Sequence, residues 1–156
     1  SIPGSAQFFL FTIYMNKIVK VGIILGTILG IILGILLYKK INTHKIYGKI
    51  ANTKADIVKG LMYRKDKLKY NEGMLFPMGY KHNSMWMKNT HIPLDVIFLD
   101  ENMRILGYVV DTVPFSLKSI SIDKKSNNVL EMNSGSVDKF NMKIGDKIIF
   151  IEKDLS

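Results

Sequence analysis

Six thioether and imidazole side chains crowd into eighteen residues: Met74, Met78, His82, Met85, Met87 and His91. Soft sulfur donors with imidazoles are what a copper(I) site uses. On this spacing His82, Met85, Met87 and His91 are the copper candidates, with Met85 and Met87 on one face of a strand. Methionine also fills irregular gaps in apolar cores, and nothing in the spacing fixes three ligands in one place. The expectation is a protein without metal or cofactor, with copper binding as a lesser alternative.

A second set is built on carboxylates. Asp95 and Glu131, with Lys88 nearby, are the types that carry acid–base or glycosidic chemistry. The structural reading of the same residues is strong. Asp95 follows Pro93-Leu94 at a strand entry, where a carboxylate commonly ties down backbone amides, and Glu131 can pair with Arg64 or Lys88. No serine sits in a Gly-x-Ser-x-Gly context and there is no cysteine, so no nucleophile with a positioned base is visible. A non-enzyme is the expectation.

Trp86 is the only tryptophan. Exposed, it is a platform for a ligand or partner; buried, it is the centre of a core. Its apolar neighbours predict burial, with Asn89 and Thr90 closing a turn after it. Trp86, Asn89 and Arg64 are the binding candidates.

These side chains need a scaffold, and the β-branched and aromatic content predicts strands at 46–51, 74–76, 85–88, 96–99, 105–110, 129–132 and 147–151. Asp100-Glu101-Asn102 reads as a hairpin turn, and Gly145 punctuates before the last strand. One short helix is predicted over Asp56 to Arg64, where Ile57, Val58, Leu61 and Met62 share a face. Many short strands with one small helix predict a mainly β (α+β) domain, a small antiparallel barrel-like structure spanning 46–156.

Gly60-Leu61-Met62-Tyr63-Arg64, Glu72-Gly73-Met74-Leu75-Phe76, Ser84-Met85-Trp86-Met87-Lys88-Asn89-Thr90 with Ile92-Pro93-Leu94-Asp95, and Val129-Leu130-Glu131 with Gly135 and Gly145-Asp146 closely resemble the domain-of-unknown-function 192 family. The resemblance covers roughly Ile46 to Glu152. It implies a small, mainly β domain of barrel-like form, often exported or membrane-tethered, and it brings no established activity. The segment between Pro114 and Val129 is shorter and richer in Lys and Asn than the family pattern.

Ahead of this domain lies Val21 to Tyr38, eighteen uncharged residues with glycine at every fourth position. As a helix it reaches roughly 27 Å, close to the ~30 Å hydrocarbon thickness of a bilayer. Gly22, Gly26, Gly30 and Gly34 fall on nearly one stripe, where a second backbone can approach closely, so self-association of this helix is a reading to test. The run ends Leu37-Tyr38-Lys39-Lys40 without a small-residue cleavage signal, which predicts a retained transmembrane anchor over 15–40 rather than a signal peptide. Residues 1–14 read as a leader or extension and 41–45 as a linker.

The chain carries 22 Lys plus Arg against 13 Asp plus Glu. The excess is not spread evenly. Residues 1–59 hold eight lysines against Asp56 alone, whereas the other 14 bases meet 12 acids. The charge therefore flanks the apolar run, and no nucleic-acid partner is expected. Lys39, Lys40, Lys45 and Lys49 are placed to meet anionic headgroups.

More base follows the span than precedes it, which places the β domain on the cytoplasmic side, or on the outer face of a virion inner membrane; a bacterial periplasm is the alternative. The lack of cysteine and of Asn-x-Ser/Thr acceptors fits a cytoplasmic face. Taken together, the residues predict a single-span, non-catalytic binding or assembly module linking a bilayer to protein partners, within an envelope complex or virion shell. The alternative is an envelope enzyme or ligand-binding protein with a polar pocket around Lys88, Asp95 and Glu131.

Overall fold

The computed structural model describes residues 4–155, with side chains described for 7–38 and 42–155. Two compact units divide the chain, 1–41 and 42–156. The first is a single helix, α1 (Gly4–Ile41), about 57 Å long at 1.5 Å per residue. Within it Gln7–Tyr38 is long and apolar enough to cross a membrane, with mean hydropathy 2.6. The helix thus starts well before the expected anchor and takes in most of the segment read as a leader. A Cβ added at Gly22, Gly26, Gly30 or Gly34 meets nothing within 4 Å, so the stripe is open. The side chains of Lys39 and Lys40, like residues 1–3, lie outside the described residues.

The second unit contains β1 (Thr43–Ile50), α2 (Lys54–Lys59), β2 (Glu72–Lys81), β3 (Leu94–Leu99), β4 (Ile105–Val109), β5 (Ser126–Asn133), α3 (Ser136–Lys139) and β6 (Lys147–Glu152). They form one six-stranded sheet in the order β4-β3-β5-β2-β1-β6, curved into a half-barrel. The mainly β architecture follows the expectation. The sheet is mixed rather than antiparallel throughout, because β1 runs parallel to both β2 and β6. β1 also begins at Thr43, inside the segment read as a linker.

The two edge strands meet at one end. Arg104 bridges Lys147, the Ile105 amide donates to the Asp146 carbonyl at 2.9 Å, and the Ile148 amide donates to the Met103 carbonyl at 2.9 Å. Asp146 secures this corner: its carboxylate accepts the Lys143 amide and faces His44 of β1, each at 2.9 Å.

Both faces of the sheet are buried, so β3 is apolar at nearly every position. One face carries Ile46, Leu75, Ile97, Leu99, Leu130 and Met132, covered by Val137 and Met142. The other carries Met74, Phe76, Leu94, Val96, Phe98 and Val129, covered by Leu61, Leu68, Met87 and Ile92. α2 lies among these covers. Thr53 caps it, accepting the Asp56 amide at 3.0 Å and donating to the Asp56 carboxylate at 2.6 Å. It ends earlier than the periodicity predicts because Gly60 takes φ 47°, a left-handed backbone suited to glycine.

Residues 85–88 are not a strand. Met85 makes one bridge to Ile120, the Met87 amide donates to the Ser116 carbonyl at 3.0 Å, and the chain then turns, with the Thr90 amide on the Met87 carbonyl. Asn89, at φ 55°, sits in that turn as expected.

Candidate functional site

Register decides what the carboxylates can do. Val96 stands opposite Glu131 and Asp95 opposite Met132, and side chains directly opposite each other share a face. Asp95 and Glu131 therefore point to opposite faces of the sheet, and the expected pair around Lys88 does not form. Asp95 is fully buried and its two oxygens accept the amides of Asp111 (3.0 Å) and Val137 (2.9 Å). That geometry ties the β4 exit and the start of α3 to β3, a structural role.

Glu131 is different. It is 4% exposed, on the face made by Met74, Phe76, Val96 and Val129, and no hydrogen bond or ion pair joins it to another described residue. Burial among these apolar groups pushes its carboxyl up to about 8. At neutral pH it is mostly the uncharged acid, with one O–H to donate and one carbonyl oxygen to accept. The expected partners lie elsewhere. Arg64 donates to the Asp66 carbonyl at 2.9 Å, and the Lys88 ammonium lies 5.1 Å from the centre of the Trp86 ring.

The carboxyl faces a slot of about 20 Å³ walled by Gly60, Met62, Met85, Trp86 and Thr90, large enough for one water-sized group. A Cβ built on Gly60 would lie 3.8 Å from Glu131 Oε2 and 3.3 Å from the Phe76 ring, so the glycine lets the 59–62 turn close over the acid.

Trp86, Met85, Ile57 and Val58 wall both this slot and a groove of about 360 Å³, which also takes in Met78 and Leu117. The expectation that Trp86 is buried is overturned: it is 46% exposed. Met87, one residue on, fills the core position instead. An adjoining cavity of about 430 Å³, which shares Lys59, Gly60, Leu61 and Met62 with the slot, is also lined by Lys49, Asp56, Tyr63 and Arg64, and in it Lys49 is already paired with Asp56 at 2.6 Å.

The copper candidates have other surroundings. Met87 is buried with its sulfur accepting the Thr112 hydroxyl at 3.2 Å, His91 packs edge-on against Phe115, and His82 is exposed. Among the described residues no three His, Cys, Asp or Glu side chains gather to hold a metal. Asn89 donates to the Tyr63 hydroxyl at 2.9 Å, joining the 85–90 segment to the turn after α2. Gly60 and Met85 meet Glu131 at one site. Local pattern carries no signal of that, since the acid stands 71 residues beyond the glycine and reaches it only through the sheet.

The family model for DUF192, described as "Uncharacterized ACR", matches residues 37–150. Two solved structures share the fold. A protein of unknown function from Novosphingobium aromaticivorans DSM 12444 is 32% identical, with a TM-score of 0.57 over 67% of this chain and 71% of that one. A provisionally named transcription regulator from Sinorhizobium meliloti 1021 is 30% identical, with a TM-score of 0.58 over 67% of this chain and 78% of that one. No curated protein matches.

Proposed function

Because the chain belongs to the domain-of-unknown-function 192 family, whose matched region 37–150 contains both slot and groove, we propose that it is a membrane-tethered, non-catalytic binding module. The observation that carries the reading is Trp86: a large aromatic left 46% exposed as the wall of an apolar groove is the usual anchor of a recognition surface. Asp95 supports the non-catalytic half, since both its oxygens are taken by backbone amides on the face away from Glu131. The apolar helix Gln7–Tyr38 supports the tether.

In this reading α1 spans the bilayer once and its glycine row packs against a second copy. The β domain lies on the cytoplasmic side, or on the outer face of a virion inner membrane, and links the lipid to its partner in an envelope complex or virion shell. Lys45 is exposed and free to meet headgroups, whereas Lys49 is held by Asp56.

The test is a photoreactive residue at Leu117 in native membranes, compared with one at exposed Ile144. The module reading expects a discrete species labelled from Leu117 and absent from Ile144. Extraction of the full chain by alkaline carbonate would remove the tether. Turnover of a substrate in an activity panel, lost in Glu131→Gln, would overturn the non-catalytic half.

A further inference from the structure

Among the described residues Glu131 has no hydrogen-bond or ion-pair partner, although only 4% of it is exposed. It lines a slot that shares four wall residues, Ile57, Val58, Met85 and Trp86, with the apolar groove, which sets the acid beside the surface that Trp86 presents.

Apart from Glu131, the linings of slot and groove contain no acid. Lys59 walls the slot and Lys88 lies over the Trp86 ring, while the groove lining contains no acid. The strands beside Glu131 present Met74 and Val96, which are uncharged. The remaining titratable groups, Lys49, Asp56, Tyr63 and Arg64, line the neighbouring cavity, where Asp56 is committed to Lys49. A cationic ligand would meet Lys59 at the slot, with no acid along the groove to offset it. An anionic oxygen would meet Lys59 favourably and then accept the Glu131 O–H, as two carboxyl groups do when they share one proton.

We propose that slot and groove together bind an apolar carboxylate, its tail lying along Trp86, Val58 and Leu117 and one head-group oxygen accepting the hydrogen bond of Glu131 beside Lys59. This rests on the binding-module reading and names the ligand class of that site. The protonated acid is the binding form, so affinity is high near neutrality and falls as Glu131 ionises.

The test uses the full chain in phosphatidylcholine nanodiscs, with emission of the single Trp86 as the readout and octanoate, octylammonium and 1-octanol as probes of equal tail length. Octanoate is expected to give a saturable change at pH 7 and to bind about tenfold more weakly at pH 9, where the acid is mostly ionised. Glu131→Gln keeps an N–H donor and should bind octanoate equally at both pH values. Glu131→Met, which keeps the apolar bulk, should lose about tenfold or more.

Lys59→Met should weaken octanoate and leave octanol unchanged. Octylammonium binding more tightly than octanoate, and strengthening as pH rises, would overturn the proposal. So would identical responses to all three probes in wild type and Glu131→Met, which is simple partition into the bilayer. If octanoate fails while Leu117 still labels a discrete species, the ligand class is wrong and the module reading stands; if both fail, the reading itself falls.

Discussion

Asp95 and Glu131 lie one step out of register on the neighbouring strands β3 and β5, and so they face opposite sides of the same sheet. The separation gives them opposite fates. Asp95 has each oxygen taken by a backbone amide, while Glu131 is buried among apolar side chains and becomes easier to protonate. Two carboxylates that look like a catalytic pair in the sequence are, in the fold, a rivet and a buried acid.

Asp95→Ala should destabilise the β domain by about 2–4 kcal/mol, since it strands the amides of Asp111 and Val137 in the interior. Asp95→Asn keeps one acceptor and should lose less. Denaturant unfolding followed through Trp86 measures both. Native emission should be unchanged, because Trp86 belongs to the other face; a large shift in native emission would contradict this separation.

Glu131 sets a pH dependence of the opposite sense to the usual carboxylate. Its folded value of about 8 lies above the ordinary carboxyl value of 4.5, so the native state holds the proton more tightly. Its contribution to stability is complete below pH ~4.5 and is lost progressively up to pH ~8, with an upper bound of about 5 kcal/mol. Glu131→Gln should flatten that slope, matching wild type near pH 4.5 and exceeding it by a few kcal/mol at pH 9. Unfolding midpoints at pH 5, 7 and 9 decide it; parallel curves for the two proteins would sink the assignment.

Much of this fold was legible in local pattern, because β-branched runs bounded by Asp, Asn and Gly turns mark strands whatever their neighbours. Six of the seven predicted strands are present. What failed was information that does not live locally. Nothing in Thr43–Ile50 says that it pairs in parallel with both β2 and β6, and the four residues of α3 are too few to show a helical period. Met85-Trp86-Met87 reads as a strand because its composition is apolar. Its extended backbone is held by Ile120 and Ser116 instead of a neighbouring strand, which turns Met87 inward and Trp86 out. The slot joins Gly60, Trp86 and Glu131 from three separate elements, so its members were visible singly and their meeting was not.

The exposure of Trp86 makes its removal cheap. Trp86→Phe should change stability by about 1 kcal/mol or less, whereas Phe98→Ala, at a fully buried position on the Glu131 face, should cost about 3–5 kcal/mol. Circular dichroism during urea unfolding compares them without relying on tryptophan emission. A loss at Trp86 as large as at Phe98 would mean that the ring is core.

Among the described glycines, Gly48 on β1 has the least room for a side chain. Gly48 pairs with Gly73, and a Cβ on Gly48 would fall 1.8 Å from the Gly73 carbonyl oxygen, a backbone atom that cannot swing aside. Its φ of 151° is also one that side chains rarely adopt. Gly79 has a positive φ of 74° but nothing within 4 Å of its Cβ, so it isolates the cost of the dihedral alone. Gly79→Ala should cost about 1 kcal/mol. Gly48→Ala must push β1 off β2 and carry β6 with it, since β6 hangs on β1, and should cost more than about 3 kcal/mol or prevent folding. Urea midpoints for the two variants make the comparison. Equal losses would show that β1 and β2 do not approach so closely, and the parallel core of the sheet would have to be redrawn.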